Sequence, residues 1–228
     1  TATLNGGKIT NAGNFTFAVS AAGTLTIKFA NDINGTTTIR QKVGANIVID
    51  GCDNNFDGTF YLEGGMQGGS SPETLTFKNI NFVHTSGAID FISADNAKDQ
   101  GKRYAHNVTV EDCTFTGTGN GDVVAMRYRQ CFNMTVRNVT ATGVHSLIWA
   151  SGGDGLTIDN VEIYGKNGIS VGTDNNVTIK DIKVVANGDY GYAVRANGEG
   201  AYNVNISGSD LTADVPVLIR NTKGAFKL

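Results

Sequence analysis

The chain is 228 residues long and carries 18 Lys and Arg against 21 Asp and Glu, a formal net charge of -3 at pH 7. That balance excludes nucleic acid as an expected partner, because neutralising phosphates needs a basic patch. No apolar run approaches bilayer length and no signal-like segment is present, so membrane insertion is not expected, and a start at Thr1 reads as a processed or excised piece. With 30 Gly, 2 Pro and few helix-favouring charges, the composition suits many short strands joined by bends.

In chain order, residues 1–45 repeat loosely through Phe15-Thr-Phe, Leu25-Thr-Ile and Thr38-Ile39, which predicts one or two irregular opening coils. From residue 46 a phrase of two apolar residues bracketing one residue, Thr in five of seven cases, recurs, starting at Ile47, Leu75, Val108, Met134, Leu156, Val177 and Val204, with spacings of 28, 33, 26, 22, 21 and 27 residues. A constant motif with elastic spacing fits a coil whose strands are fixed and whose loops vary. Four residues after most starts comes Asn79, Asp112, Asn138, Asn160 or Asp181, and these residue types tolerate a left-handed bend. Strand, bend, strand, Gly-rich loop and third strand make one coil. The predicted fold is all-β, a single-stranded right-handed parallel β-helix (a solenoid) of about eight to nine coils in one domain, 1–228. The regular coils would occupy 46–228. The third-strand run at Val217-Leu-Ile, with no cap after it, predicts further coils or end-to-end neighbours beyond Leu228.

Alternation assigns faces to the third strand. Phe60 and Leu62, Ile89 and Phe91, Val124 and Met126, and Leu147 and Trp149 are expected inside. Tyr61, Glu63, Asp90, Arg127 and Ile148 are then expected outside, followed by Ser170, Arg195 and Arg220. Tyr61, Glu63, Asp90 and Arg127, with Arg129 and Asp122 flanking, form the candidate ligand-binding patch, beneath the long loops 64–73 and 93–105. Such a set can bind a polar sugar or support acid–base chemistry; it also reads as a solvated ladder of charges. Catalysis, if present, would be built from Asp90, Asp122 and Arg127. His84 and His145 are expected to be polar loop residues, since no H-x-x-H or H-E-x-x-H spacing completes a metal set, and no cofactor is expected. Counting from the motif starts puts Cys52 and Cys113 in one core column two rungs apart, about 9–10 Å, too far for a disulfide. Both are expected to be buried free thiols. The sequence also holds seven N-x-[ST] triplets, which the repeat itself generates.

Residues 46–222 resemble the pectin-lyase-like β-helix superfamily. Gly121-Asp-Val-Val-Ala-Met is similar to the G-D-D-x-x-A run of polygalacturonases, and Tyr164-Gly-Lys-Asn-Gly-Ile-Ser-Val-Gly-Thr to their G-H-G-x-S-x-G-S run. The resemblance implies the coil fold. It carries over one catalytic position, Asp122: Val123 stands where the second Asp would be, and Lys166 or Asn167 where the His would be. Inversion at the anomeric carbon needs two carboxylates. Arg103-Tyr-Ala-His-Asn-Val-Thr-Val and Met126-Arg-Tyr-Arg-Gln-Cys also resemble the β-helix repeats of large surface proteins of gut anaerobes related to Bacteroides, which implies a bacterial, extracellular or cell-surface setting. The functional expectation is a non-catalytic module that binds glycan or another cell-surface ligand. The alternatives are a polysaccharide lyase or glycoside hydrolase working on the same face, and a structural stalk or filament segment.

Overall fold

The computed structural model describes residues 15–18, 22–40, 45–63, 73–84, 90–94, 104–118, 123–128, 130–200, 203–222 and 225–228. All regular structure among them is strand, and the strands pair in parallel with those of the coils before and after. The chain winds as a right-handed parallel β-helix, with a coil count close to the expected one.

The motif starts stack as the spacing predicts. Leu25, Ile47, Leu75 and Val108 are in register, Met134 sits on Leu156, and Val177 sits on Val204; the Thr109, Thr135, Thr157 and Thr178 column carries the register across the rungs between. The stack begins before the predicted regular region and continues to its end. Gly23–Lys28 lies on Ala45–Asp50, and Phe226 of Ala225–Lys227 lies on Val204. The described part of the opening region therefore shares the common register.

The bends are made by the residues the sequence marks for them. Asn79, Asp112, Asn138, Asn160 and Asp181 have φ of 51°, 52°, 52°, 51° and 52°, and Gly208 takes the same role at 58°. An ordinary side chain is strained in this left-handed region, whereas Asn and Asp are its most frequent non-glycine occupants. A second set of left-handed asparagines stands just before the first strand: Asn107, Asn133 and Asn176, at 48°, 51° and 51°. Each set forms an amide ladder along the helix axis. At the first corner, Asn138 Nδ2 donates to Asp112 Oδ1 and Asn160 Nδ2 to Asn138 Oδ1, both at 2.9 Å. At the other, Asn133 donates to Asn107 at 3.1 Å, Asn176 to Asp154 at 2.8 Å and Asn203 to Asn176 at 3.0 Å. The ladder amides explain why N-x-T recurs: its Asn turns the corner and its Thr faces outward on the first strand.

Inside, like residues stack on like. Ile49, Phe77, Val110, Val136, Ile158, Ile179 and Ile206 line the first strand's core, and Ile80, Cys113, Val139, Val161 and Ile182 form a column just past the bend. Full burial of one such side chain contributes roughly 1.5–3 kcal/mol, and no coil can supply it alone. Phenylalanines fill the early coils: Phe56 stacks on Phe60 at 4.1 Å and Phe82 on Phe115 at 4.6 Å. Outside, the first strand carries charges of alternating sign, Lys28, Asp50, Lys78, Glu111, Arg137, Asp159 and Lys180, each in register with the next. Lys78 pairs with Asp50 at 3.6 Å, Arg137 with Glu111, and Lys180 with Asp159 at 2.8 Å. Alternation favours one order of coils, because any slip by one rung sets like charges opposite each other.

Three expectations about side-chain placement are corrected. Cys52 is exposed and lies outside the core column; it has φ of 49° beside Asp53 at 62° in a wider bend, Gly51 to Asn54, so counting five residues from Ile47 overshoots the corner. Trp149 is 41% exposed, while Ile148 is fully buried in its place. His84 lies outside the strands, as expected of a loop residue, but it is buried and stacks on Phe91 at 4.0 Å. Cys52 and Cys113 are both free as expected, Cys113 in the core and Cys52 at the surface; the side chain of the third cysteine, Cys131, lies outside the described residues.

Candidate ligand-binding face on the third strands

The third strand's inward phase is set by Phe60, Ile92, Met126, Ile148, Ile169 and Val194, which stack in register and are all buried. The residue after each points outward. This gives one column along the axis: Thr38, Tyr61, Ser93, Arg127, Trp149, Ser170, Arg195 and Leu218. Rungs are about 4.8 Å apart, so neighbours in this column can touch.

Within it, Arg127 is held from two sides. Its Nε donates to Asp90 Oδ2 at 2.6 Å and its Nη2 to Oδ1 at 3.4 Å, and its guanidinium lies 4.7 Å from the centroid of the Trp149 ring. Asp90 also accepts the Val124 N–H at 3.2 Å, and its backbone carbonyl accepts Thr59 Oγ1 at 2.6 Å. Asp90 lies two residues before the strand Ile92–Ser93, not on its outer face as expected, and reaches Arg127 from the corner. The pair is half-covered, with side-chain exposures of 28% for Arg127 and 16% for Asp90. A bidentate pair partly withdrawn from water fixes the guanidinium plane, which a free surface Arg does not achieve.

Of the predicted patch, the structure brings Tyr61, Asp90 and Arg127 to one face. Glu63 follows Tyr61 on the strand Phe60–Glu63, in register with Arg40, but its side chain lies outside the described residues. Asp122, Arg129 and most of the two long loops (64–72 and 95–103) also lie outside them. Ser170, expected to face water freely, faces outward but is only 4% exposed, covered between its neighbours Trp149 and Arg195. Sequence reasoning missed the two residues that complete the column, Trp149 and Ser93. Setting Ile148-Trp-Ala beneath Ile169-Ser-Val would have placed Trp149 outside.

The His145 ring is tied down at the corner one rung from Val123. Asn167 Nδ2 lies 3.3 Å from its Nε2 and Ser146 Oγ lies 3.0 Å from its Nδ1. Among the described residues no group of three or more His, Cys, Asp or Glu could hold a metal ion, and no helix is long and apolar enough to cross a membrane.

The family model described as a right-handed beta helix region matches residues 65–226, and the chain belongs to this family. No curated protein and no solved structure matched it.

Proposed function

We propose that this member of the right-handed β-helix family is an extracellular or cell-surface carbohydrate-binding module whose ligand lies along the outward column of the third strands. The observation that carries the reading is Trp149. It is the chain's single Trp, stands 41% exposed on a rigid sheet, and is flanked by an Arg that is itself oriented by a carboxylate. An aromatic face beside directional polar groups suits a pyranose, with C–H bonds against the ring and hydroxyls toward donors and acceptors. Tyr61 offers a second ring three rungs away on the same column. The site is a binding site without catalysis in this reading, because both Asp90 oxygens are committed to Arg127 and the Val124 N–H.

A second reading, a stiff stalk segment, is favoured by the two amide ladders and the alternating charge column, which reinforce the long axis whatever the third strands bind. A glycan microarray, followed by product analysis of any sugar retained, separates the readings. Retention that disappears in Trp149→Ala without product release supports the binding module. Retention with cleavage points to an enzyme. Silence across a broad array leaves the stalk.

A further inference from the structure

We propose that Asn34 is an attachment site for an N-linked oligosaccharide, on a corner that stays open to modification after the coil has folded. The proposal is separate from the carbohydrate-binding reading and takes from the extracellular reading only the passage through a secretory membrane. Seven N-x-[ST] triplets begin at Asn14, Asn34, Asn107, Asn133, Asn138, Asn176 and Asn205. Asn14 lies outside the described residues, and the structure sorts the other six. Four of them are closed by their own hydrogen bonds. Asn107 Nδ2 donates to the Glu73 carbonyl at 3.0 Å, Asn133 to Asn107 at 3.1 Å, Asn138 to Asp112 at 2.9 Å and Asn176 to Asp154 at 2.8 Å. A sugar on any of these nitrogens would break a corner ladder.

Asn34 owes nothing to the repeated phrase. It ends the two-residue strand Ile33–Asn34, and Gly35, at φ 141°, turns the chain toward Thr37–Arg40. The Asn34 side chain is exposed and makes no hydrogen bond among the described residues, and Thr36 is partly exposed. Ile33–Asn34 pairs with Asn55–Asp57 alone among the described strands, and Gly35 N–H donates to the Asp57 carbonyl at 2.9 Å. Asn205 is exposed too, but it lies inside Asn203–Ser207, paired with Thr178 on one side and Lys227 on the other, so its triplet is held extended. A transferase must hold the amide and the hydroxyl two residues on together. A bend at a surface corner permits that grip, whereas a strand paired on both sides does not. In the transfer, Asn34 Nδ2 forms a bond to the anomeric carbon of an oligosaccharide carried on a polyprenyl pyrophosphate. The anomeric C–O bond breaks, the pyrophosphate leaves with its electron pair, and the amide proton passes to a base of the transferase.

The test incubates the folded, purified chain with an oligosaccharyltransferase and a dolichyl-pyrophosphate-linked oligosaccharide, beside a denatured, alkylated sample. Enzymatic deglycosylation in heavy-oxygen water then marks each occupied Asn as a labelled Asp in peptide mass spectra. The folded chain is expected to carry sugar at Asn34 and at none of Asn107, Asn133, Asn138, Asn176 and Asn205, whereas the denatured chain carries it at several of them as well. Asn34→Gln and Thr36→Ala should each abolish modification of the folded chain without altering its melting curve, because neither side chain supports the coil. A folded chain modified at the ladder asparagines or at Asn205 as readily as at Asn34 would overturn the sorting. A folded chain unmodified at Asn34, whatever the denatured sample shows, would overturn the site. The glycan array reads Trp149 independently, so either result leaves the carbohydrate-binding reading where it stands.

Discussion

The guanidinium of Arg127 lies over the ring of Trp149, 4.7 Å from its centroid, with each residue projecting from an adjacent rung of the third-strand sheet. Asp90 fixes the angle of that contact by binding two nitrogens of the same guanidinium. The three residues act as one unit in which the carboxylate orients the cation and the cation steadies the ring.

Because Trp149 is the only Trp, its fluorescence reports this unit directly. Arg127→Ala and Asp90→Ala should both shift its emission to the red, by freeing the indole to water. The stability cost of losing the cation–π contact at this half-exposed position should be about 0.5–1 kcal/mol. Binding of any retained sugar should weaken at least tenfold in either variant. Unchanged emission in both would mean that the stacking does not persist in solution.

Why Trp149 escaped the sequence reading is physical. Alternation held along the first strands, and every coil from Leu75 on has the same length from motif to bend, so register was legible from Ile47 to Val204. It failed at the third strand because the corner before it breaks alternation: Leu147 and Ile148 are consecutive and both buried, as are Phe91 and Ile92. The phase there is set by stacking on Met126 and Ile169, which no single segment displays. Cys52 shows the same limit at the first corner. There Gly51 runs so close to the next coil that a Cβ would lie 2.3 Å from the Asn79 carbonyl oxygen, and extra bend residues displace the count. Tyr61, Asp90 and Arg127 were found because their chemistry stands out whatever the phase.

The register where it was legible predicts an asymmetry between neighbours. Val161 is buried in the column between Val139 and Ile182, whereas Glu162 is exposed beside Lys183. Val161→Asp should cost several kcal/mol, as an unpaired charge enters an apolar stack. Glu162→Lys should cost no more than about 1 kcal/mol, from the lost Tyr164 hydrogen bond and a new like-charge neighbour. Denaturant melts of the two variants check this, and equal midpoints would contradict the register.

The cysteines should separate by accessibility. Burial pushes the Cys113 thiol up to about 12, whereas Cys52, also raised, is at the surface. Brief alkylation of the native protein at pH 8 should label the peptide containing Cys52 and leave that containing Cys113 unmodified until denaturant is added. Labelling at equal rates would show that the column around Ile80 and Val139 opens readily.

Acid should destabilise the coil in two windows. His106 is buried against Phe132, ring to ring at 4.7 Å, and desolvation holds its imidazole below the ordinary 6.5. The unfolded chain then binds a proton that the folded chain refuses. The contribution is fully present above about pH 6.5 and is lost as pH falls through the folded value. Asp50 is pushed up by burial but held below 3.8 overall by the Asn79 amide, the Cys52 N–H and Lys78, so its contribution fades only in stronger acid. Tm measured from pH 8 to 5 should fall in wild type, and His106→Gln should flatten that slope. An equal slope in the variant would assign the loss to other groups.

The amide ladder can be weighed apart from the bend it occupies. Asn138 does two things at once: it accepts a φ of 52°, and its side chain both donates to Asp112 and accepts from Asn160. Asn138→Gly keeps the left-handed backbone without strain but removes both side-chain bonds. Asn138→Ala removes the bonds and forces a Cβ into that region, at roughly 1–2 kcal/mol more. Each lost side-chain bond is worth about 1 kcal/mol net, and exposure at this corner lets water replace part of it. The glycine variant should therefore lose about 1–2 kcal/mol and the alanine variant about 2–4 kcal/mol. If glycine proves neutral, the ladder contributes nothing and Asn is there only to turn the chain; if alanine matches glycine, the left-handed bend is not what the position demands.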